Sequence, residues 1–224
     1  MRIPLTIYGL REVAGLSVFF AAASAVALLF WWPAAIPLAV LWLAVLSFFR
    51  DPEREADCAP ADLLSPADGM VQDVTEMKEA PTVEGPCVRI GIFMSILDVH
   101  VNRSPADARV CWVSHRPGSF HDARSGAAVA ENERCFLGLE LEDGRRLLVC
   151  QIAGVIARRI VCAARVGDVL TKGERFGMVK LGSRVELYLP CADQYSVTVR
   201  PGDRVHAGRS VLATYAPGPG RSSP

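Results

Sequence analysis

The stretch VKLGSRVELYLP, residues 179–190, has the composition of a buried strand with Gly182-Ser183 set in its middle. Val179, Leu181, Val185, Leu187, Tyr188 and Leu189 all favour extended structure. Glycine inside a strand gives up backbone entropy and a packing side chain, so it marks a bulge or a close backbone approach. It also leaves its carbonyl unshielded beside a hydroxyl. Attack of the Ser183 hydroxyl on that carbonyl would move the acyl group from nitrogen to oxygen. Elimination from the resulting ester would split the chain and leave a pyruvoyl group at the new N-terminus. Taken alone, the pair reads first as an ordinary bulge.

Around this stretch the chain from Asp51 onward is built of short apolar segments punctuated by Gly, Pro and Asp, among them GMVQDV, CVRIGIFM, ARVCWVS and SVLATY. Segments of this length and spacing predict a mainly β body. RVGDVLTKG (165–173) repeats as RPGDRVHAG (200–208), with Gly167-Asp168 and Gly202-Asp203 as tight turns. This duplicated hairpin resembles barrel-sandwich domains such as lipoyl carriers. The closing PGPGRSSP, residues 217–224, reads as a disordered tail.

Residues 15–49 carry no charged side chain. The run exceeds the roughly 20 residues that one membrane-spanning helix needs. Pro33 and Pro37 divide it, and Trp31 and Trp32 sit at the break. One kinked span and a helical hairpin compete. Arg2 and Arg11 before the run, with Arg50 and Arg54 after it, favour a hairpin over residues 1–50 with both ends cytoplasmic. The run is too long for a cleaved signal peptide. The expected location is the cell membrane, on its cytoplasmic face.

Lys and Arg number 24 against 24 Asp and Glu, so no basic excess points to nucleic acid. The seven cysteines, 58, 87, 111, 135, 150, 162 and 191, are odd in number and widely spaced, without C-x-x-C. That pattern argues against a disulfide framework or zinc knuckle and for a reducing compartment.

A serine nucleophile needs a base, usually a histidine oriented by a carboxylate. The four histidines are His100, His115, His121 and His206. His100 follows an apolar strand, His115 and His121 flank a loop, and His206 lies in the repeat. Any one of them reads first as a surface or structural residue. Asp68, in LLSPADGMV, is the most suggestive carboxylate, although Asp-Gly is also a common turn.

Seven motifs in one order then converge: FFRDPER (48–54), SPADGMV (65–71), FMSILDVHVNRSP (93–105), HRPGSFHDA (115–123), ENER (131–134), QIAGVIARRIV (151–161) and RFGMVKLGSRVELYLP (175–190). Together they resemble the short form of the phosphatidylserine decarboxylases. The resemblance implies self-cleavage between Gly182 and Ser183 into a large chain, 1–182, and a small chain, 183–224. It makes Ser183 the pyruvoyl group, and His100 and Asp68 the helpers of an Asp-His-Ser arrangement. It implies decarboxylation of phosphatidylserine in the membrane, a heterodimer of the two chains that could assemble further, and neither metal nor nucleic acid. His100 is the best candidate acid for the protonation that follows loss of carbon dioxide, since imidazole changes charge near neutrality. Ser119 and His121 depart from the family's P-G-K-F-x-N-A loop, Glu186 stands for a usual Asp, and Arg103 occupies a position where longer members carry a second histidine.

Three rivals stand beside this reading. An archaetidylserine decarboxylase would share the headgroup chemistry. A non-catalytic lipoyl-like module would present a lysine, for which Lys172 is the candidate. A zinc peptidase would need clustered histidines, and no H-x-H occurs.

Overall fold

The uncharged run folds as two helices in the computed structural model, which describes residues 4–83, 85–124, 130–155, 159–180, 182–190 and 194–216. Helix α1 is Leu10–Phe30 and helix α2 is Ala35–Phe48, joined through a 3-10 turn at Trp32–Ala34. Pro33 lies in that turn. Pro37 lies in the first turn of α2, where a missing N–H breaks no helical bond. Trp42 Nε1 donates to Ser17 Oγ across the pair at 3.0 Å. At the open end Thr6 N–H donates to the Phe49 carbonyl at 2.9 Å, and Asp51 N–H to the Pro4 carbonyl at 2.8 Å. The chain therefore enters and leaves side by side, which makes the run a hairpin rather than one kinked helix. Ile7–Phe30, with mean hydropathy 2.3, is long and apolar enough to cross a membrane.

Residues 1–53 and 54–224 form separate compact units. The second is β-rich. Its strands are β1 (Asp62–Leu64), β2 (Gly69–Met77), β3 (Cys87–Met94), β4 (Val101–Arg103), β5 (Ala108–Arg116), β6 (Arg134–Glu140) and β7 (Arg146–Ile152). There follow β8 (Ile160–Cys162), β9 (Val169–Leu170), β10 (Arg175–Val179), β11 (Ser183–Pro190), β12 (Tyr195–Val197), β13 (Arg204–Val205) and β14 (Val211–Tyr215). Eight of them make one sheet in the order β13-β2-β3-β11-β7-β6-β5-β9, and that sheet curls into a half-barrel. Two three-stranded sheets, β1-β14-β12 and β4-β10-β8, complete the body.

The run 179–190 is two strands, not one. β10 ends at Val179 in the small β4-β10-β8 sheet, and β11 begins at Ser183 in the large one. Gly182 between them has φ +63°, the left-handed region that carries the chain out of one sheet and into the other. The strand-like composition on both sides hid this switch. Once in the large sheet, β11 is buried along its whole length between β3 and β7. Val185, Leu187 and Leu189 enter the main core with Ile90, Ile92, Leu137 and Val149. Tyr188 packs on the opposite face with Phe136, Leu148 and Ile152.

The sequence repeat is also a repeat of backbone. Gly167 and Gly202 have φ +97° and +98°, and Asp168 and Asp203 each accept the N–H three residues before them at 2.8 Å. The second glycines, Gly173 and Gly208, pack against one another. The six described cysteines, 58, 87, 111, 135, 150 and 162, are free thiols. The tail 217–224 and Cys191 lie outside the described residues.

Candidate active site

Strand register places the ends of several strands together. Met70 pairs with Phe93, Ser183 with Met94, Arg184 with Ile152, Arg134 with Ile152, and Arg116 with Arg134. The start of β2, β6 and β11 and the end of β3, β5 and β7 thus share one end of the sheet. Gly182-Ser183 opens at that end. Ser183 is fully buried, and its Oγ lies 3.5 Å from Met94 Sδ.

Two glycines shape the Gly182 peptide. Gly182 itself has open space around its missing Cβ, so its glycine answers to φ and not to crowding. Gly154 answers to crowding: a Cβ there would overlap the Gly182 carbonyl oxygen. The segment carrying Gly154 is fixed by Asn132, whose buried amide donates to the Ala153 carbonyl at 2.7 Å and to the His121 carbonyl at 2.8 Å. Neither Gly154 nor Asn132 was singled out by sequence reasoning. Both sit within the motifs QIAGVIARRIV and ENER, but only the side-by-side pairing of β6, β7 and β11 in the sheet gives them a role.

His100 is buried, and its Nδ1 lies 2.9 Å from the Asp98 carbonyl. Its own carbonyl accepts Val179 N–H at 3.3 Å, so it borders the connection leading to Gly182. Asn102, two residues on, joins Gln151 at 2.8 Å beneath the same region.

Asp68 is buried and held from three sides. Arg54 grips it with both terminal nitrogens, Nη2 reaching Oδ2 at 2.8 Å. Ala207 N–H donates to Oδ1 at 2.8 Å, and His206 Nδ1 approaches Oδ2 at 3.5 Å. Burial by itself raises the Asp68 pKa, but the Arg54 guanidinium and the other donors outweigh it and hold the carboxyl below its usual range. Among the described residues, Asp68 bonds to Arg54, Ala207 and His206, His100 Nδ1 to the Asp98 carbonyl, and Ser183 Oγ to Met94.

On the opposite face of β11, Arg184 is buried. Its Nε donates to Glu186 Oε1 at 2.8 Å and its Nη2 to Asp73 Oδ2 at 2.6 Å. Tyr188 Oη completes the set on Glu186 at 2.7 Å. Gly91 makes room, because a Cβ there would overlap the guanidinium.

The remaining sequence candidates are placed elsewhere. His115 and His121 pair with Glu133 and Glu131 at 3.3 and 3.1 Å on the surface. Arg103 donates to the Gly173 carbonyl at 3.1 Å, tying β4 to the repeat. Lys172 is not presented as a carrier lysine, since its Nζ donates to the Ala59 and Pro60 carbonyls at 3.0 Å each. Clefts of about 490 and 390 Å³, lined by Arg109, Glu140 and Arg145 among others, lie at the other end of the sheet from Ser183.

A family model described as Phosphatidylserine decarboxylase matches residues 41–213. A phosphatidylserine decarboxylase proenzyme of Rhodopirellula baltica is 39% identical over 96% of this chain and 90% of its own length. One from Symbiobacterium thermophilum is 44% identical over 85% of this chain and 88% of its own. One from Geotalea daltonii is 39% identical over 94% and 96%.

Proposed function

The chain belongs to the phosphatidylserine decarboxylase family, and on that premise we propose that it splits itself between Gly182 and Ser183 and then converts phosphatidylserine to phosphatidylethanolamine and carbon dioxide. The observation that carries the reading is the Gly182 peptide. It has left-handed φ, Gly154 pressed on its carbonyl, and a buried serine next in line.

Ser183 Oγ adds to the Gly182 carbonyl carbon, its proton passing to His100. The C–N bond breaks, the freed amine takes a proton, and an ester joins Gly182 to Ser183. Loss of the Ser183 α-proton expels the Gly182 carboxylate, and water then replaces ammonia on the new N-terminal residue. Asp68, kept ionised by Arg54, holds the 65–69 turn and the His206-Ala207 turn in place beside this chemistry.

Ser183 suits a pyruvoyl N-terminus: it is buried, extended, and paired to β3 alone, with Met94 beneath its side chain. That group would supply a ketone that accepts the serine amine and draws off the electrons left by carbon dioxide. His100 stands as the acid for the protonation that follows. Arg184 holds the strand behind it through Asp73 and Glu186. The helical hairpin anchors the enzyme at the cytoplasmic face of the membrane, so the lipid need not leave the bilayer.

Intact mass under denaturing conditions tests the reading. Two chains, 1–182 and 183–224, should appear, with release of carbon dioxide from phosphatidylserine. A single uncut chain that is fully active would overturn it. Preference for an archaeal ether lipid over the diacyl lipid would move the substrate and leave the mechanism standing.

A further inference from the structure

Six large hydrophobic side chains are exposed on the described β body: Met70, Ile96, Leu97, Val155, Val166 and Val169. Four of them gather at the Ser183 end. Met70 pairs with Phe93, Ile96 and Leu97 follow the end of β3, and Val155 follows Gly154 against Gly182. Val166 and Val169 sit at the far end, where Val169 pairs with Arg109.

The tip carrying Ile96 and Leu97 is not a loose loop. Asp98 accepts from Ser95 N–H at 2.8 Å and Ser95 Oγ at 2.7 Å, and Asp98 N–H returns to the Ser95 carbonyl at 3.0 Å. Arg204 clamps the same Asp98 at 2.7 Å. This tied turn holds Leu97 80% exposed and Ile96 51% exposed, with Val155 at 55%. Holding aliphatic side chains in water brings nothing to the folded body, so an ordered apolar tip of this kind marks a surface meant to be covered. Arg116, Arg124, Arg159 and Arg204 are exposed around it, Arg124 paired with Asp122 and Arg204 with Asp98 at 2.7 Å each, and the exposed Glu131 lies nearby. Apolar tips set among ion-paired arginines at the mouth of the site suit the bilayer interface, where the aliphatics enter below the headgroups and the paired charges stay at headgroup level.

We propose that the Ser183 end of the β body is itself a membrane-docking face, with Ile96, Leu97 and Val155 entering the bilayer interface. The tip runs directly into His100, whose ring leans on the Asp98 carbonyl. Docking therefore sets the histidine at the depth of the lipid headgroup. The proposal rests on the reading of the substrate as a bilayer lipid, and it adds the residues that bring the body to it.

Amide hydrogen exchange on the full-length, processed chain tests it. Nanodiscs of phosphatidylcholine with phosphatidylserine are compared with neutral-detergent micelles. Exchange across 95–98 and at Val155 should slow about ten-fold in nanodiscs, with residues 166–169 unchanged. Leu97→Asp should abolish the slowing and lower turnover of bilayer-held phosphatidylserine at least five-fold. Val169→Asp should do neither. Unchanged exchange at 95–98 overturns the proposal. Equal slowing in micelles at raised protein concentration also overturns it, by marking a second copy of the chain as the occupant. An equal loss by Leu97→Asp on a dispersed short-chain phosphatidylserine overturns it too, by placing Leu97 in the chemistry. The uncleavable Ser183→Ala chain separates this proposal from the enzymatic reading. It should show the same slowing without releasing carbon dioxide. A wild-type chain that docks yet neither splits nor releases carbon dioxide would sink the enzymatic reading alone.

Discussion

Ser183 Oγ lies 3.5 Å from the Sδ of Met94, the residue opposite it in the β3–β11 register. A thioether is a weak acceptor, so it seats the hydroxyl without holding its proton strongly. Ser183→Ala should therefore give one uncut chain without activity, whereas Met94→Leu should still yield both fragments. The volume-conserving change should cost under about 1.5 kcal/mol in thermal unfolding. Failure of Met94→Leu to split, with the fold intact, would make the sulfur part of the chemistry.

The close approach of Gly154 to the Gly182 carbonyl predicts an asymmetry between two glycines. Gly182→Ala meets open space and bears only the left-handed φ, about 1–2 kcal/mol. Gly154→Ala must push the carbonyl aside. A time course of processing on gels should show Gly154→Ala stalled more completely than Gly182→Ala. The reverse order would mean that backbone strain, not carbonyl placement, governs the reaction.

Arg54 and Asp68 predict a pH dependence. Burial opposes the charged form of Asp68, but Arg54 and the other donors win and depress its pKa below 3.8. A depressed carboxylate stabilises the fold fully above its unfolded pKa and loses that contribution as pH falls through the lower folded value. The loss should thus fall below pH 3.8 in the wild type. Arg54→Met leaves burial opposed by fewer donors, so the folded pKa moves back toward or above the unfolded value, and the stability lost on acidification shrinks or turns into a gain. Breaking the buried pair should cost about 3 kcal/mol at neutral pH. Denaturant melts of both proteins across pH 3–7 read the result, and parallel curves would refute the linkage.

Arg184 is the next residue after the proposed break, and it is tied to Asp73 on β2 and Glu186 on β11. Before cleavage the covalent chain helps to hold this strand end. Afterwards the side chain and β-ladder must do so alone. Arg184→Met should therefore lower the melting temperature of the split enzyme more than that of the uncut Ser183→Ala chain. Equal losses would reduce the network to ordinary core support.

The electron sink should be found on the small fragment. Hydroxylamine should inactivate the mature enzyme, and mass spectrometry should place the adduct at the N-terminus of residues 183–224. Chelators should have no effect. An adduct on Lys172 would instead favour a lysine-based carrier or enzyme.

Much of this was legible in local pattern. Short punctuated apolar segments announced a β body, the charge-free run announced the helix pair, and the G-D-x-x-x-x-G repeat announced two turns that share φ and hydrogen bonds. Gly182-Ser183 stood out because glycine and a hydroxyl in an apolar run are locally anomalous. These features depend on residues close in sequence, where backbone preference and side-chain period act directly.

What joins distant segments was left to the tertiary structure. Composition is the same on both sides of Gly182, so nothing local shows that β10 and β11 belong to different sheets. The contact of Gly154 with the Gly182 carbonyl joins β7's exit to β11's start, and Arg54, Ala207 and His206 reach Asp68 from both ends of the body. Such partners are chosen by register and by burial. A buried carboxylate must find donors wherever the fold brings them, and the identity of those donors is fixed only when the sheets close.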